Sequence, residues 1–282
     1  MKTPYFTMPV NVTADISLVE RIGTLALPLY LTALIVLLLG ITGLWWLARR
    51  SAVPRRINPQ APGAYLLMRL TFGFAVVLAA AAVFAEVAEA LGDGPRVGAL
   101  DQLFSAAVVQ AIHPGVQRFF GALTHLADTP TLIGLGVVMV ALLWWRQRRW
   151  LALAWVLSVA GNGLLNVTLK RIFARTRPVH DDLLFSAQGF SFPSGHSSGA
   201  VVAYGMLAYV LLHSLSPGQA RRASLPVVLA AGALAFSIGC SRIFIGVHYA
   251  TDVLAGFASG SAWLAVCLAS VALTRHYQQP IA

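Results

Sequence analysis

The sequence predicts an all-α protein, a polytopic membrane helical bundle with a six-span core and one extra amino-terminal span. Three observations predict it. Of 282 residues, 58% are hydrophobic and only 11% charged, where a soluble domain carries about 25% charged residues. Uncharged runs such as 25–47 and 151–169 reach the roughly 20 residues that a helix needs to cross a bilayer. The acidic residues all fall on one set of alternate links, and just over half of the Lys and Arg on the other.

Taken in order, residues 1–23 are mixed, with Asp15, Glu20 and Arg21 close to the first apolar run. No short apolar region there leads to a small-residue cleavage site, so the first span is expected to stay as an anchor. Spans are predicted at 24–47, 65–90, 129–146, 150–169, 197–214, 225–241 and 250–273. The segment 95–127 is the longest outer connection. Its Leu100, Leu103, Val108, Ile112, Phe119 and Leu123 recur at roughly helical spacing among polar residues, which predicts one or two amphipathic helices on the membrane surface. Pro114-Gly115 is expected to break them. The domain reading is an amino-terminal extension, 1–64, with one span and a basic link; a core, 65–273; and a cytoplasmic tail, 274–282.

Seven spans place the links 48–64, 146–149 and 215–224 on one side. With Arg69 and Arg275, that side holds Arg49, Arg50, Arg55, Arg56, Arg146, Arg148, Arg149, Arg221 and Arg222, eleven of the twenty Lys and Arg. The positive-inside tendency makes it cytoplasmic, with the amino terminus outside and the carboxy terminus inside. Asp15, Glu20, Glu86, Glu89, Asp93, Asp101, Asp128, Asp181, Asp182 and Asp252 all fall on the opposite side. One span more or fewer would scatter both sets. Trp45, Trp46, Trp144, Trp145 and Trp150 gather near the cytoplasmic interface as an aromatic belt.

The net charge of +10 sits in these short links, which argues for membrane orientation and against nucleic acid as a partner. Cys240 and Cys267 both fall in spans and read as small buried apolar residues, not as a disulfide or metal cluster.

Three stretches carry the chemistry: 170–178 (KRIFARTRP), 193–196 (PSGH) and 241–252 (SRIFIGVHYATD). Each is expected at the outer end of a helix, so one membrane face gathers them. Lys170 and Arg177 lie against the positive-inside tendency, which points to an anion site; Arg suits bidentate contact with phosphate oxygens and Lys a point charge. Arg171 and Arg175 are read as helix-end cations that snorkel to lipid phosphates. Ser194 is placed as the N-cap of the fifth span, which turns the amides of Gly195 and His196 toward an anion. His248 and Asp252 are four apart and share a helical face. Asp252 can then accept from one ring nitrogen while the other attacks. Arg242 lies close enough to reach the same oxygens.

These residues resemble the signature of the type 2 phosphatidic acid phosphatase superfamily, which includes the vanadium haloperoxidases. The signature reads Lys170…Arg177-Pro178, then Pro193-Ser194-Gly195-His196, then Ser241-Arg242…His248…Asp252, with no departure, and the resemblance spans roughly 65–273. It implies His248 as nucleophile through a phosphohistidine, Asp252 orienting it, and His196 as general acid and then base. Lys170, Arg177, Ser194, Gly195 and Arg242 are implied to hold the phosphoryl oxygens. It implies neither metal nor other cofactor, with a lipid phosphate in the bilayer as substrate. Undecaprenyl pyrophosphate, phosphatidylglycerophosphate and phosphatidic acid are the candidates, hydrolysed on the periplasmic or extracellular face of the cell membrane. Alternatives are lipid phosphotransfer by the same residues, haloperoxidase chemistry, and a lipid-phosphate transporter.

The other polar residues are read as structural. His113 and His125 are expected to meet water or headgroups, His213 and His276 to lie far from the site, and His180 to lie near Arg177. Asn162 and Asn166 are read as interhelical hydrogen-bonding groups, and Asp181-Asp182 as a solvated loop.

Overall fold

The computed structural model describes residues 12–51, 62–92, 95–180 and 185–278, and every regular element among them is helical. A short helix α1 (Val12–Thr24) leads into α2 (Ala26–Ser51), followed by α3 (Pro62–Gly92), α4 (Pro95–Ala111) and α5 (Pro114–Thr124). A single 3₁₀ turn, His125–Ala127, joins α5 to α6 (Thr129–Trp145). Then come α7 (Arg149–Phe173), α8 (Gly195–Ser214), α9 (Pro217–Phe244) and α10 (Ala250–Gln278). Among the described residues six helices are long and apolar enough to span a membrane by themselves, and the pair α5–α6, bent by 43°, is long and apolar enough only when its two helices are taken together. Six of the seven predicted spans are thus single helices of spanning length, whereas the predicted span 129–146 is α6, whose 17 residues reach that length only together with α5.

The segment predicted to be amphipathic is two helices, α4 and α5, broken at Pro114 as expected. His113 accepts from the Gly115 amide at 3.0 Å and Pro114 sits at the first helical position, so the break is also a helix start. Two boundaries differ from the sequence reading. Residues 12–24 are helical and pack on α4, where Gly23 allows the close approach: a Cβ there would lie 2.5 Å from that of Ala107. Most of the predicted link 215–224 is the first turns of α9, started by Ser216 and Gln219 in a reciprocal capping box with Pro217 in the first turn. The string SPGQ carries this helix start in the sequence. Likewise α7 runs on to Phe173, so Lys170 and Arg171 occupy its last turn instead of following it.

The core is the packing of α8 against α9 and α10, with α3 along α10 and α7 along α8. Small residues let α8 and α10 touch through backbone, as membrane helices require. A Cβ on Gly256 would stand 2.5 Å from the Ser194 carbonyl oxygen, and one on Gly260 2.8 Å from the backbone of Ser198. The two asparagines act as the sequence suggested: Asn162 donates to Ser198 Oγ at 3.4 Å and Asn166 to the Pro193 carbonyl at 3.5 Å, both from α7 to the α8 segment.

α2 is packed into the bundle. Tyr30 bonds Ser237 of α9 at 2.7 Å and meets Phe120, Phe236 and Phe244 in ring contacts, while Trp45 donates to Ser224 at 3.0 Å. These contacts fix the parity. The start of α2, the end of α3 (Phe84 on Phe173 and Phe192), the start of α6, the end of α7, the start of α8, the end of α9 and the start of α10 share one end of the bundle. Trp144, Trp145 and Trp150, each more than half exposed, lie at the other.

Candidate active site

The chain leaves α7 through Ala174, held in the left-handed region with φ 44°, its N–H closing on the Lys170 carbonyl. The next residues are pinned by Arg177, which donates to the carbonyls of Gln188, Gly189, Phe190 and Val247 at 3.1, 3.0, 3.3 and 2.8 Å. Its Nη1 also lies 3.0 Å from His248 Nε2. A guanidinium can only donate, so Nε2 bears the lone pair and Nδ1 the proton, which goes to Asp252 Oδ2 at 3.2 Å. His248 is 2% exposed. Burial first, then the positive charges of Arg177, Arg242 and Lys170, hold its pKa well below the ordinary imidazole value. The imidazole is therefore neutral, with its electron pair on the nitrogen away from the carboxylate, where it accepts from Arg177.

Asp252 is fully buried and accepts the Tyr249 amide at 3.0 Å and Arg175 Nη1 at 2.7 Å. Arg175 reaches on to Asp101 Oδ2 at 2.8 Å, an acceptor shared with the Thr251 hydroxyl, and lies 4.1 Å over the Tyr249 ring. Here the structure corrects the sequence reading. Arg171 is exposed, as a snorkelling cation should be, but Arg175 is buried between two carboxylates. Nothing local separates the two arginines, because Asp101 lies 74 residues away and Asp252 lies 77.

Ser194 is the N-cap of α8, as its place before the apolar run implied: its hydroxyl accepts from Ser197 N at 3.3 Å and from Ser197 Oγ at 2.8 Å. Its own amide donates to the Asp252 carbonyl at 2.9 Å, which ties the second motif to the third. With that hydroxyl engaged on the helix side, Gly195 and His196 are the motif residues that line the cavity. Gly195 also admits α7, since a Cβ there would lie 2.9 Å from Asn166 Oδ1. His196 Nε2 pairs with Asp128 Oδ1 at 2.8 Å, and Asp128 Oδ2 with His125 Nδ1 at 2.6 Å. His125 thus meets a site carboxylate, a contact the sequence reading missed along with Asp128.

Arg242, 7% exposed at the end of α9, donates to Thr124 Oγ1 at 2.9 Å, while its buried Nε has no partner among the described residues. Lys170 donates to the carbonyls of Phe190 and Ser191, the latter at 3.3 Å. His180 lies near Arg177 in sequence but bonds Ser105 on α4 at 3.0 Å. Asp181-Asp182 lies outside the described residues.

A cavity of about 1390 Å³ joins these parts. Lys170, Arg177, Gly195, His196, Arg242 and His248 line one end, and Trp144, Trp145 and Gln147 the other. Between them it follows α6 and α7 past Ile133, Val137 and Val167, all well exposed on the membrane face. The 17 residues of α6 are about 25 Å long, so the groove runs most of the apolar thickness of a bilayer. Among the described residues no three His, Cys, Asp or Glu are grouped to hold a metal ion; the positive charge at the polar end is that of Lys170, Arg177 and Arg242.

A helical bundle with a buried His–Asp pair, ringed by cations at the end of an apolar groove, defines a multi-pass membrane protein. The chain belongs to the PAP2 superfamily, whose family profile matches residues 150–275. It is 35% identical over 164 residues to phosphatidylglycerophosphatase B of Bacillus subtilis, covering 58% of this chain and 79% of that one. It is 36% identical over 133 residues to a lipid A 1-phosphatase of Rhizobium johnstonii, covering 43% and 48% of the two chains. A crystal structure of a transmembrane PAP2-type phosphatidylglycerolphosphate phosphatase from Bacillus subtilis superposes with a TM-score of 0.65 at 29% identity, over 73% of this chain and 98% of that one.

Proposed function

We propose that this protein is a lipid phosphate phosphatase that works through a phosphohistidine at His248, without a metal ion, on the outer face of the cell membrane. One observation carries the reading: His248 Nε2, its lone pair facing the Arg177 guanidinium and its ring backed by Asp252, lies in a ring of Lys170, Arg177 and Arg242 at the polar end of an apolar groove. A phosphate seated there has cations for its oxygens, as phosphoryl transfer demands. Its lipid tail has the groove along α6 and α7.

In the first half-reaction His248 Nε2 bonds to phosphorus as the bond to the leaving oxygen breaks. His196 gives that oxygen a proton, and Asp252 supports the charge gained by His248. In the second, His196 takes a proton from water, which attacks phosphorus and frees His248. The relatives support the class of substrate by what their names say of them, phosphatidylglycerophosphate and lipid A 1-phosphate. The side chains at the polar end read phosphate alone, so the tail is selected by the groove.

The test is phosphate release by purified protein from phosphatidic acid, phosphatidylglycerophosphate and undecaprenyl pyrophosphate in micelles containing EDTA. Turnover of at least one is expected, with His248→Ala lowering it by about 10⁴-fold or more and abolishing a ³²P-labelled protein intermediate. Turnover that requires added divalent ion, or that survives His248→Ala, would overturn the proposal.

A further inference from the structure

The turn from α5 to α6 touches the site twice, through Thr124 to Arg242 and through Asp128 to His196, and it lies outside the 150–275 stretch that marks the family. His196 shares the polar end of the cavity with Lys170, Arg177, Arg242 and His248. Four groups that are cationic or can become so surround an imidazole that must itself be protonated to act as an acid. Burial and like charges disfavour that form, and a carboxylate in contact offsets part of that cost. Asp252 is not that carboxylate, being committed to His248 and Arg175. Asp128 is in direct contact with His196, and its side chain remains one-third exposed, so solvent and His125 on its other oxygen keep it ionised.

We infer that Asp128 is the positioning residue of the acid–base histidine. It holds His196 by Nε2 and supplies a negative charge that favours the protonated ring, from which Nδ1 delivers its proton to the leaving oxygen. The inference rests on the reading of His196 as general acid. The protons balance without passing through Asp128. When the phosphorus–oxygen bond breaks, its electron pair stays with the leaving oxygen, which takes the Nδ1 proton and leaves a neutral ring with Nε2–H on Asp128. When water attacks, Nδ1 regains a proton as the phosphorus–nitrogen bond breaks. The site then holds two His–Asp pairs of opposite purpose: Asp252 orients a neutral ring for attack, and Asp128 favours the charged form of the ring that donates the proton.

The test compares two substrates by kcat/KM, which reports the steps through departure of the leaving group. Phosphatidic acid leaves as an alkoxide that needs the proton; p-nitrophenyl phosphate leaves as a phenolate that does not. Asp128→Asn is expected to lower kcat/KM by about 10²–10³-fold for phosphatidic acid and by less than about threefold for p-nitrophenyl phosphate. Asp128→Glu, which keeps the charge, should restore most of the loss. The basic limb of the pH profile on phosphatidic acid should shift to lower pH in the Asn variant. Asp128→Ser replaces it if the Asn protein does not fold, judged by melting in detergent. Equal losses on both substrates, or no loss on either, overturn the inference. His196→Ala separates the two levels. If it shows the split and Asp128→Asn does not, the inference about Asp128 alone falls; if His196→Ala loses both substrates equally, the acid assignment falls with it.

Discussion

Arg175→Ala tests the assignment that departs furthest from the sequence reading. The guanidinium lies 2.7 Å from Asp252 Oδ1 and 2.8 Å from Asp101 Oδ2, with 13% of its side chain exposed. At an effective dielectric of about 20, each contact is about 6 kcal/mol of Coulomb attraction before desolvation is subtracted. The quantity a deletion reads is smaller. Removing one partner of a buried pair costs about 3–5 kcal/mol, because the carboxylates left behind stay buried. A snorkelling arginine would cost about 0–1 kcal/mol. The expected fall in melting temperature in detergent is roughly 6–20 °C. Phosphate release should fall about 10²-fold as Asp252 loses its hold and His248 drifts from line. A double-mutant cycle with Asp101→Ala isolates the pair and should return a coupling of about 2 kcal/mol. A loss of stability below about 1 kcal/mol, with additive single and double variants, would refute the bridge.

Two further outcomes are expected. His248 attacks as the neutral ring and its pKa lies well below the usual value of about 6.5, so the acid-side loss of kcat/KM attributable to it should come well below pH 6.5; a limb at 6.5 or above would contradict the buried, cation-ringed site. The sign for stability agrees: the unfolded chain takes up the proton first, so stability is lost as pH falls from about 6.5 toward the depressed value. For orientation, Gln188→Cys is the better probe than its neighbour Ala187, because Gln188 is exposed whereas Ala187 is half-buried against the Phe120–Phe244 cluster. In a background with Cys240→Ala and Cys267→Ala, Gln188→Cys should react in intact cells with an impermeant thiol reagent, and protection there would reverse the proposed sidedness.

Much of the fold was legible because each membrane helix carries its own signal. An apolar run long enough to span stays helical whatever surrounds it, since a backbone in lipid has no other partner for its polar groups. Charge sorting then gave the parity that the ring and hydrogen-bond contacts display. What was misread were ends and surface helices, where the signal is a cap and not a run. The polar amphipathic α1 and the Ser216–Gln219 start of α9 are such cases. The motif residues were legible through the family resemblance, and the structure brings Lys170, Arg177, Gly195, His196, Arg242 and His248 to one end of the cavity while the Ser194 hydroxyl is engaged by Ser197.

The sequence by itself determined the long apolar helices and the pairing of His248 with Asp252, all properties of one helix or one turn. Only the tertiary structure decided which nitrogen of His248 bears the lone pair, because the donor that fixes it, Arg177, lies 71 residues away. It also turned two carboxylates that had served only to mark a membrane side into parts of the site, Asp101 behind Arg175 and Asp128 on His196. Those pairings join helices remote in sequence, and a buried charge takes whichever partner the packing brings within about 3 Å.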